Sequence, residues 1–408
     1  MPQILIPLLA FIFGLGFPKS FSLLYLCLLV AVAKVIRAPS MPIPRSISIA
    51  CICLIAFGVS YSVIQVHHGV WAPPSRFKAE MAAITLLPWS CLVFGWKIAP
   101  RRAEIMIKTI IAYMAGCLIY ALLSLYITEV MTDDIPQNVL KVPWGNQQFL
   151  SVRAIEQRAF LSLPLLPLSC YIISHSKATS ERAISFLMFM MGCLALVFTM
   201  VAHSRIGILV LLISSAPYTM FLHKRLRVGL MTIFTLAVAY LGSFTRILCD
   251  ERVSLITNFI NRMPQAPMGG RKLNFSYADC DPSLTNQFGS FAGSDAFSPH
   301  NVLLDIYNDC GIIPFIFILC AVFIVVGLFL SRYWRSLRNG DHPDVFLFLT
   351  WGVFSTLLVE WITQPFLYTD QLMFSLGFLF VGASLYLLSS PHKGPSPCTH
   401  NDVNQPAQ

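Results

Sequence analysis

Three groups of residues in this 408-residue chain combine types and spacing that could do chemistry, and the sharpest is Ser298-Pro299-His300-Asn301. Serine is a favoured helix N-cap and proline is favoured at the first helical position, so the pattern predicts a helix beginning at Pro299. His300 then lies in the first turn, at the positive end of the helix dipole. That position disfavours imidazolium and keeps the ring neutral, as a general base requires. Asn301, Asp305, Asn308 and Asp309 share one side of this helix, while Val302, Leu303, Ile306 and Cys310 lie elsewhere. A polar stripe leading into an apolar run suggests a wall facing a wet cavity. An interfacial histidine above a solvated first turn accounts for the same residues, and both readings stand.

The second group is His203-Ser204-Arg205, which alone separates two long apolar runs. An arginine fork suits a phosphate or pyrophosphate, although an arginine reaching to lipid headgroups would look the same. The third is a set of arginines in polar loops: Arg153 and Arg158, then Arg246, Arg252, Arg262 and Arg271. Gly269-Gly270-Arg271-Lys272 joins flexible backbone to two cations, which could cradle an anion. Singly each arginine reads as a solvated charge; collectively they could bind a polyanionic lipid. Asp279-Cys280-Asp281 matches the short DxD pattern of metal-dependent nucleotide-sugar transferases, but it falls on the face where nucleotide sugars are absent. The nine histidines show no metal-ligand spacing. A phosphate loop, a nucleophile elbow and a dinucleotide fingerprint are also missing. Neither metal nor cofactor is expected, and energy must come from the substrate or from an ion gradient.

The elements that must position these residues are apolar helices. The chain is 56% hydrophobic and 12% charged, about half the charged fraction usual in soluble domains, with a mean hydropathy of +0.70. Its apolar length is divided into runs near the ~20 residues that a helix needs to cross a bilayer. About twelve spans are expected, near residues 4–17, 20–36, 46–66, 79–96, 104–127, 159–174, 183–202, 206–222, 226–244, 302–330, 345–361 and 371–389. The first lacks a basic leader and a cleavage site, so it reads as a retained helix, made irregular by Pro7, Gly14 and Gly16. Basic clusters alternate from loop to loop: Lys34, Arg37 and Arg45; Lys97, Arg101, Arg102 and Lys108; Lys177 and Arg182; Lys224, Arg225 and Arg227; Arg332, Arg335 and Arg338. By the positive-inside rule these are cytoplasmic, as is the N-terminus. The net charge of +9 therefore reflects topology and implies no nucleic-acid partner; membrane lipids are the expected surroundings. Two long loops fall outside, about 128–158 and 245–299, the second rich in Gly, Pro, Asn and Ser and expected as an ordered, irregular cap. Residues 1–389 form one polytopic membrane domain with these loops, and the polar, Pro-rich segment 390–408 reads as a disordered cytoplasmic tail. Most of the twelve cysteines lie in apolar runs as small hydrophobes; Cys249 and Cys280 share the large loop and could pair there.

Read in order, these residues resemble the O-antigen ligase and polymerase superfamily of integral membrane enzymes. Ser204-Arg205-Ile206-Gly207-Ile208-Leu209 is similar to its Arg-x-x-x-Leu element at an outer helix start. His300-Asn301, nine residues and Gly311 resemble its His-Asn-x9-Gly element, and Gly270-Arg271 resembles a Gly-Arg element of the large loop. The likeness covers roughly residues 100–385 and departs at Pro314, where the family carries a small or polar residue. The resemblance implies a GT-C-like bundle in a bacterial inner membrane with its site facing the periplasm. It further implies inverting transfer of a polysaccharide from undecaprenyl pyrophosphate to the lipid A–core oligosaccharide. His300 would act on the acceptor hydroxyl and Arg205 on the pyrophosphate, with Arg271, Arg158, Arg153, Asn301 and Asp305 binding or orienting substrate. The neighbouring readings are a polymerase extending the lipid-linked glycan, a protein O-oligosaccharyltransferase and, from a different class, a transporter of that glycan. The absence of a visible internal repeat weighs against the last.

Overall fold

The structure is a computed structural model that describes residues 2–15, 42–68, 74–98, 103–131, 158–175, 179–201, 205–219, 228, 251–273, 299, 301–339, 345–363 and 371–389. Among these residues the chain is all-helical, with no strand. The helices are α1 (Pro2–Gly14), α2 (Arg45–His68), α3 (Pro74–Ile98), α4 (Ala103–Met131), α5 (Leu165–His175), α6 (Thr179–Val201), α7 (Arg205–Thr219), α8 (Glu251–Arg262), α9 (Val302–Cys310), α10 (Ile312–Asn339), α11 (Val345–Thr363) and α12 (Gln371–Leu387). Five described helical segments are long and apolar enough to cross a membrane: Arg45–His67, Glu104–Leu123, Arg182–Thr199, Ile312–Arg338 and Val345–Thr363. They make the chain compatible with an all-α membrane protein. Expected spans 20–36 and 226–244, the tail 390–408, and residues Cys249 and Cys280 lie outside the described residues, apart from the single residue 228.

Three expectations are corrected. Span 159–174 is not one regular helix: the helical residues 158–160 run into a turn at 161–164, where Ser162, Leu163, Leu165 and Leu166 donate their amides three residues back, and regular helix resumes at Leu165. Pro164 lacks the amide that an α-helix through this point would need. Span 302–330 is broken at Gly311 into α9 and α10. The large loop is also less irregular than its composition indicates, because it contains α8, whose Leu255, Ile256, Phe259 and Ile260 recur at helical spacing.

Small residues set the helix spacing, as expected where apolar surroundings provide little drive for helices to associate. A Cβ at Gly95 of α3 would strike the Leu379 carbonyl of α12, and one at Gly382 would strike the Leu92 carbonyl in return. Gly14 and Gly116 bring α1 and α4 into similar backbone contact, and Gly58 of α2 lies against Thr85 of α3. The main core runs from Ile47 and Phe57 through Phe160 to Phe348 and Phe378. A smaller cluster of Leu255, Phe259, Leu304 and Tyr307 lies between α8 and α9.

The two ends of the bundle differ in chemistry. At one end Arg332 of α10 donates to the Leu385 carbonyl at 2.8 Å and to the Ser389 hydroxyl, with its guanidinium over the Trp96 ring. At the other lie the last turns of α2 and α11, the short helix α9 and the turn after α8. The candidate site residues that the structure describes there are taken up next.

Gly95→Ala should lower the thermal unfolding midpoint of the protein in detergent, with about 1–3 kcal/mol lost to overpacking. Gly327→Ala is the matched control, since a Cβ there meets nothing within 4 Å. It should leave the midpoint unchanged or raise it, by up to ~1 kcal/mol of helix propensity.

Candidate functional site

Asn301, and not Ser298, caps α9. Its backbone is extended (φ −143°, ψ 124°), and its Oδ1 accepts from the Leu303 and Leu304 amides at 3.0 and 3.2 Å. Helix therefore begins at Val302, and the expectation of Pro299 at the first helical position is corrected. Asparagine caps as well as serine does, and here it gains a tertiary bond, because its Nδ2 donates to the Ile362 carbonyl of α11 at 2.9 Å. The same side chain thus orders the start of α9 and ties it to the end of α11. His300 immediately precedes this cap but lies outside the described residues, as do His203, Ser204 and Arg153.

The polar stripe is not the wall of an open cavity. Asp305, Asn308 and Asp309 are all buried, because α9 is wrapped by α2, α8, α10 and α11. Asp309 accepts from Arg271 Nε at 2.7 Å through one oxygen and from the Tyr61 hydroxyl at 2.9 Å through the other. An acidic side chain at a helix C-terminus faces the negative end of the dipole, and these two donors offset that. Gln65 Nε2 donates to Cys310 Sγ at 3.3 Å, so the last turns of α2 read the last two residues of α9.

Gly311 ends α9 at φ 76°, ψ −160°, a conformation open almost only to glycine. The segment after α8 fills the break. Gly270 and Arg271 donate their amides to the Asp309 and Asn308 carbonyls at 2.9 Å each, and Ile312, the first residue of α10, donates to the Pro267 carbonyl at 2.9 Å. Gly269 (φ 70°) is required because a Cβ there would strike the Gly311 and Cys310 amides, and a Cβ at Gly311 would strike Pro267 and Met268. Arg271 itself has φ 54°, an uncommon state for a non-glycine residue, held by its amide and its side chain together. Tyr307 adds a bond from its hydroxyl to the Met263 carbonyl at 2.6 Å. Pro314 falls in the first turn of α10, where a missing amide costs little.

The arginines divide. Arg271 is joined to the unit around Asn301, Asp305 and Gly311. Arg158 is buried, with its guanidinium 4.6 Å from the Tyr120 ring centroid and Nη1 donating to the Gly14 carbonyl that ends α1. It holds α1 and α4 to the 158–164 segment. Arg205 is the first residue of α7, and Gly207 beside it packs on Thr199 and the Phe160 ring. Its level relative to α9 follows from α11. Trp351 donates to the Ile213 carbonyl at 2.9 Å, and Tyr218 stacks on Phe348 at 4.1 Å, so α7 and α11 run antiparallel. Continuing that register at about 1.5 Å per residue brings the start of α7 to the level of Glu360, within a turn of Ile362 and hence of the Asn301 cap.

Sequence reasoning missed three polar residues at this end: Tyr61, Gln65 and the buried Glu360 of α11. A lone glutamate in the apolar run from Val345 to Thr363 was the available signal. No protein-family model matches the chain, and no curated protein is significantly similar to it.

Asp309→Asn should destabilise the protein by about 2–3 kcal/mol, below the ~3–5 kcal/mol of a fully buried pair because the Arg271 side chain is 19% exposed. Tyr61→Phe should lose about 1–2 kcal/mol, and the two together less than their sum, since they share a carboxylate. Thermal unfolding in detergent reads all three; additive effects would contradict the shared contact.

Proposed function

We propose that the chain is a membrane glycosyltransferase of the O-antigen ligase type. In this reading it moves a polysaccharide from undecaprenyl pyrophosphate to a sugar hydroxyl of the lipid A–core oligosaccharide, on the periplasmic face of a bacterial inner membrane. The observation that carries the reading is the joining of two separate elements of the resemblance. Gly270-Arg271 and the segment from Asn301 to Gly311, about thirty residues apart in sequence, form one hydrogen-bonded unit through the amides of Gly270 and Arg271. Gly311 has a steric reason to be glycine there, and Gly270 has a φ of 78°, which favours glycine. The α7–α11 register adds support by bringing the start of the Arg205 helix to the same level.

In the proposed reaction His300 takes the proton of the acceptor hydroxyl as its oxygen attacks the anomeric carbon. The bond from that carbon to the pyrophosphate oxygen breaks with inversion. Arg205 offsets the charge gathering on the departing diphosphate. Asn301 contributes through its cap, which fixes the backbone next to His300. Arg271 is steadied by Asp309, and Arg158 supports the segment against which the Arg205 helix packs. Buried Asp305 and Glu360 are what a transporter of the lipid-linked glycan would use instead, and the assay must separate the two.

His300→Ala and Arg205→Ala, each present at normal membrane levels, should abolish capping of lipopolysaccharide with O-antigen while lipid-linked glycan still reaches the periplasm. Wild-type capping by both variants would refute the assignment. In a deletion strain, full-length glycan accumulating on undecaprenyl pyrophosphate is expected. A single repeat on the core would indicate a polymerase, and glycan retained on the cytoplasmic side a transporter.

A further inference from the structure

The apolar face of α8 is wider than the protein that covers it. Leu255 and Phe259 are buried in one cluster with Leu304 and Tyr307, and Ile256, Met263 and Phe315 pack partly buried against that cluster. Ile260, one turn beyond Ile256 on the same side, is 49% exposed, and Met268 in the following turn is 50% exposed. Asn258 and Asn261 occupy the opposite side, so the helix is amphipathic with half of its apolar arc facing outward.

Fixed contacts tell where that outward half lies. The Ile312 amide bonds the Pro267 carbonyl, and the Met268 backbone lies against Gly311. Met268 therefore sits beside the first turn of α10. There Ile312, Ile313 and Ile316 are comparably exposed, on a helix long and apolar enough to cross a membrane. Phe315 turns inward from the same turn and stacks edge-on to Tyr307 at 5.6 Å. The exposed side of the turn after α8 thus extends the exposed apolar surface of α10. Arg262 and Lys272, both exposed, flank the turn where phosphates of the headgroup layer would lie.

We infer that α8 is an in-plane interfacial helix whose outer apolar side, Ile260 with Met268, rests in the lipid bilayer surface. Such a helix sits at the boundary of headgroups and acyl chains. The Gly270–Arg271 stitch would then be held at a fixed depth just outside the hydrocarbon, whatever reaction the site performs. The inference does not depend on the proposed transfer.

The test places the photo-crosslinker p-benzoylphenylalanine singly at positions 260, 268, 261 and 316 of the full chain, reconstituted in vesicles of equal parts phosphatidylethanolamine and phosphatidylglycerol. Adducts are identified by mass spectrometry after irradiation. Positions 260 and 268 should form phospholipid adducts at a yield near that of position 316, several-fold above position 261. Adducts from 260 and 268 to other segments of the chain would mean that protein covers this face, and would overturn the inference. So would yields no higher than at position 261, which would place the face in water.

Discussion

Inside hydrocarbon every backbone amide and carbonyl needs a protein partner, because an unsatisfied group there costs several kcal/mol. A helix interrupted inside a packed bundle faces the same demand, with carbonyls orphaned on one side of the break and amides on the other. The break at Gly311 meets it with a single turn of chain. The Pro267–Arg271 segment supplies two amides to the end of α9 and one carbonyl to the start of α10. Much of this end of the bundle follows from that arrangement. The turn must approach so closely that glycine is needed on both sides, at 269 and at 311, and α8 must lie alongside to deliver it.

The same turn brings Arg271 to Asp309, and Tyr61 completes the carboxylate's partners from α2. A buried charge pair of this kind adds little net stability over an apolar replacement, yet losing one member is costly. Its effect is to fix register. Asp309 can accept both donors only when α2, α9 and the turn sit in one arrangement, and the Asn301–Ile362 bond adds α11 to that set. A short helix gripped at its cap, its middle and its end is rigid from Asn301 onward. In the proposed transfer, such rigidity next to His300 is what proton removal from a precisely aligned hydroxyl demands.

The long apolar helices were legible because their signal is local. Runs such as Arg45–His68, Ala103–Met131 and Val345–Thr363 are bounded nearly where charge and length indicate. The start of α9 was not, since Ser298 and Asn301 are comparable caps and the choice between them is made by a carbonyl sixty-one residues away. Nor was the burial of Asp305, Asn308 and Asp309. A polar stripe announces a partner but does not say whether that partner is water or protein, and Tyr61 and Gln65 sit in an apolar run with nothing local to mark them. The break itself had a signal in Gly311, a residue type favoured just past helix ends, masked by the apolar runs on both sides. α8 was hidden by the Gly- and Pro-rich composition of its loop, although Leu255, Ile256, Phe259 and Ile260 keep helical spacing.

The stitch across the break is most directly tested by hydrogen–deuterium exchange of the full chain in lipid nanodiscs, read at the amides of Gly270, Arg271, Gly311 and Ile312. Four bonded amides should exchange slowly, close to the rate of amides in the interior of α10. Exchange at Gly270 and Arg271 at the rate of an open, solvated loop would contradict the central claim that this turn closes the broken helix.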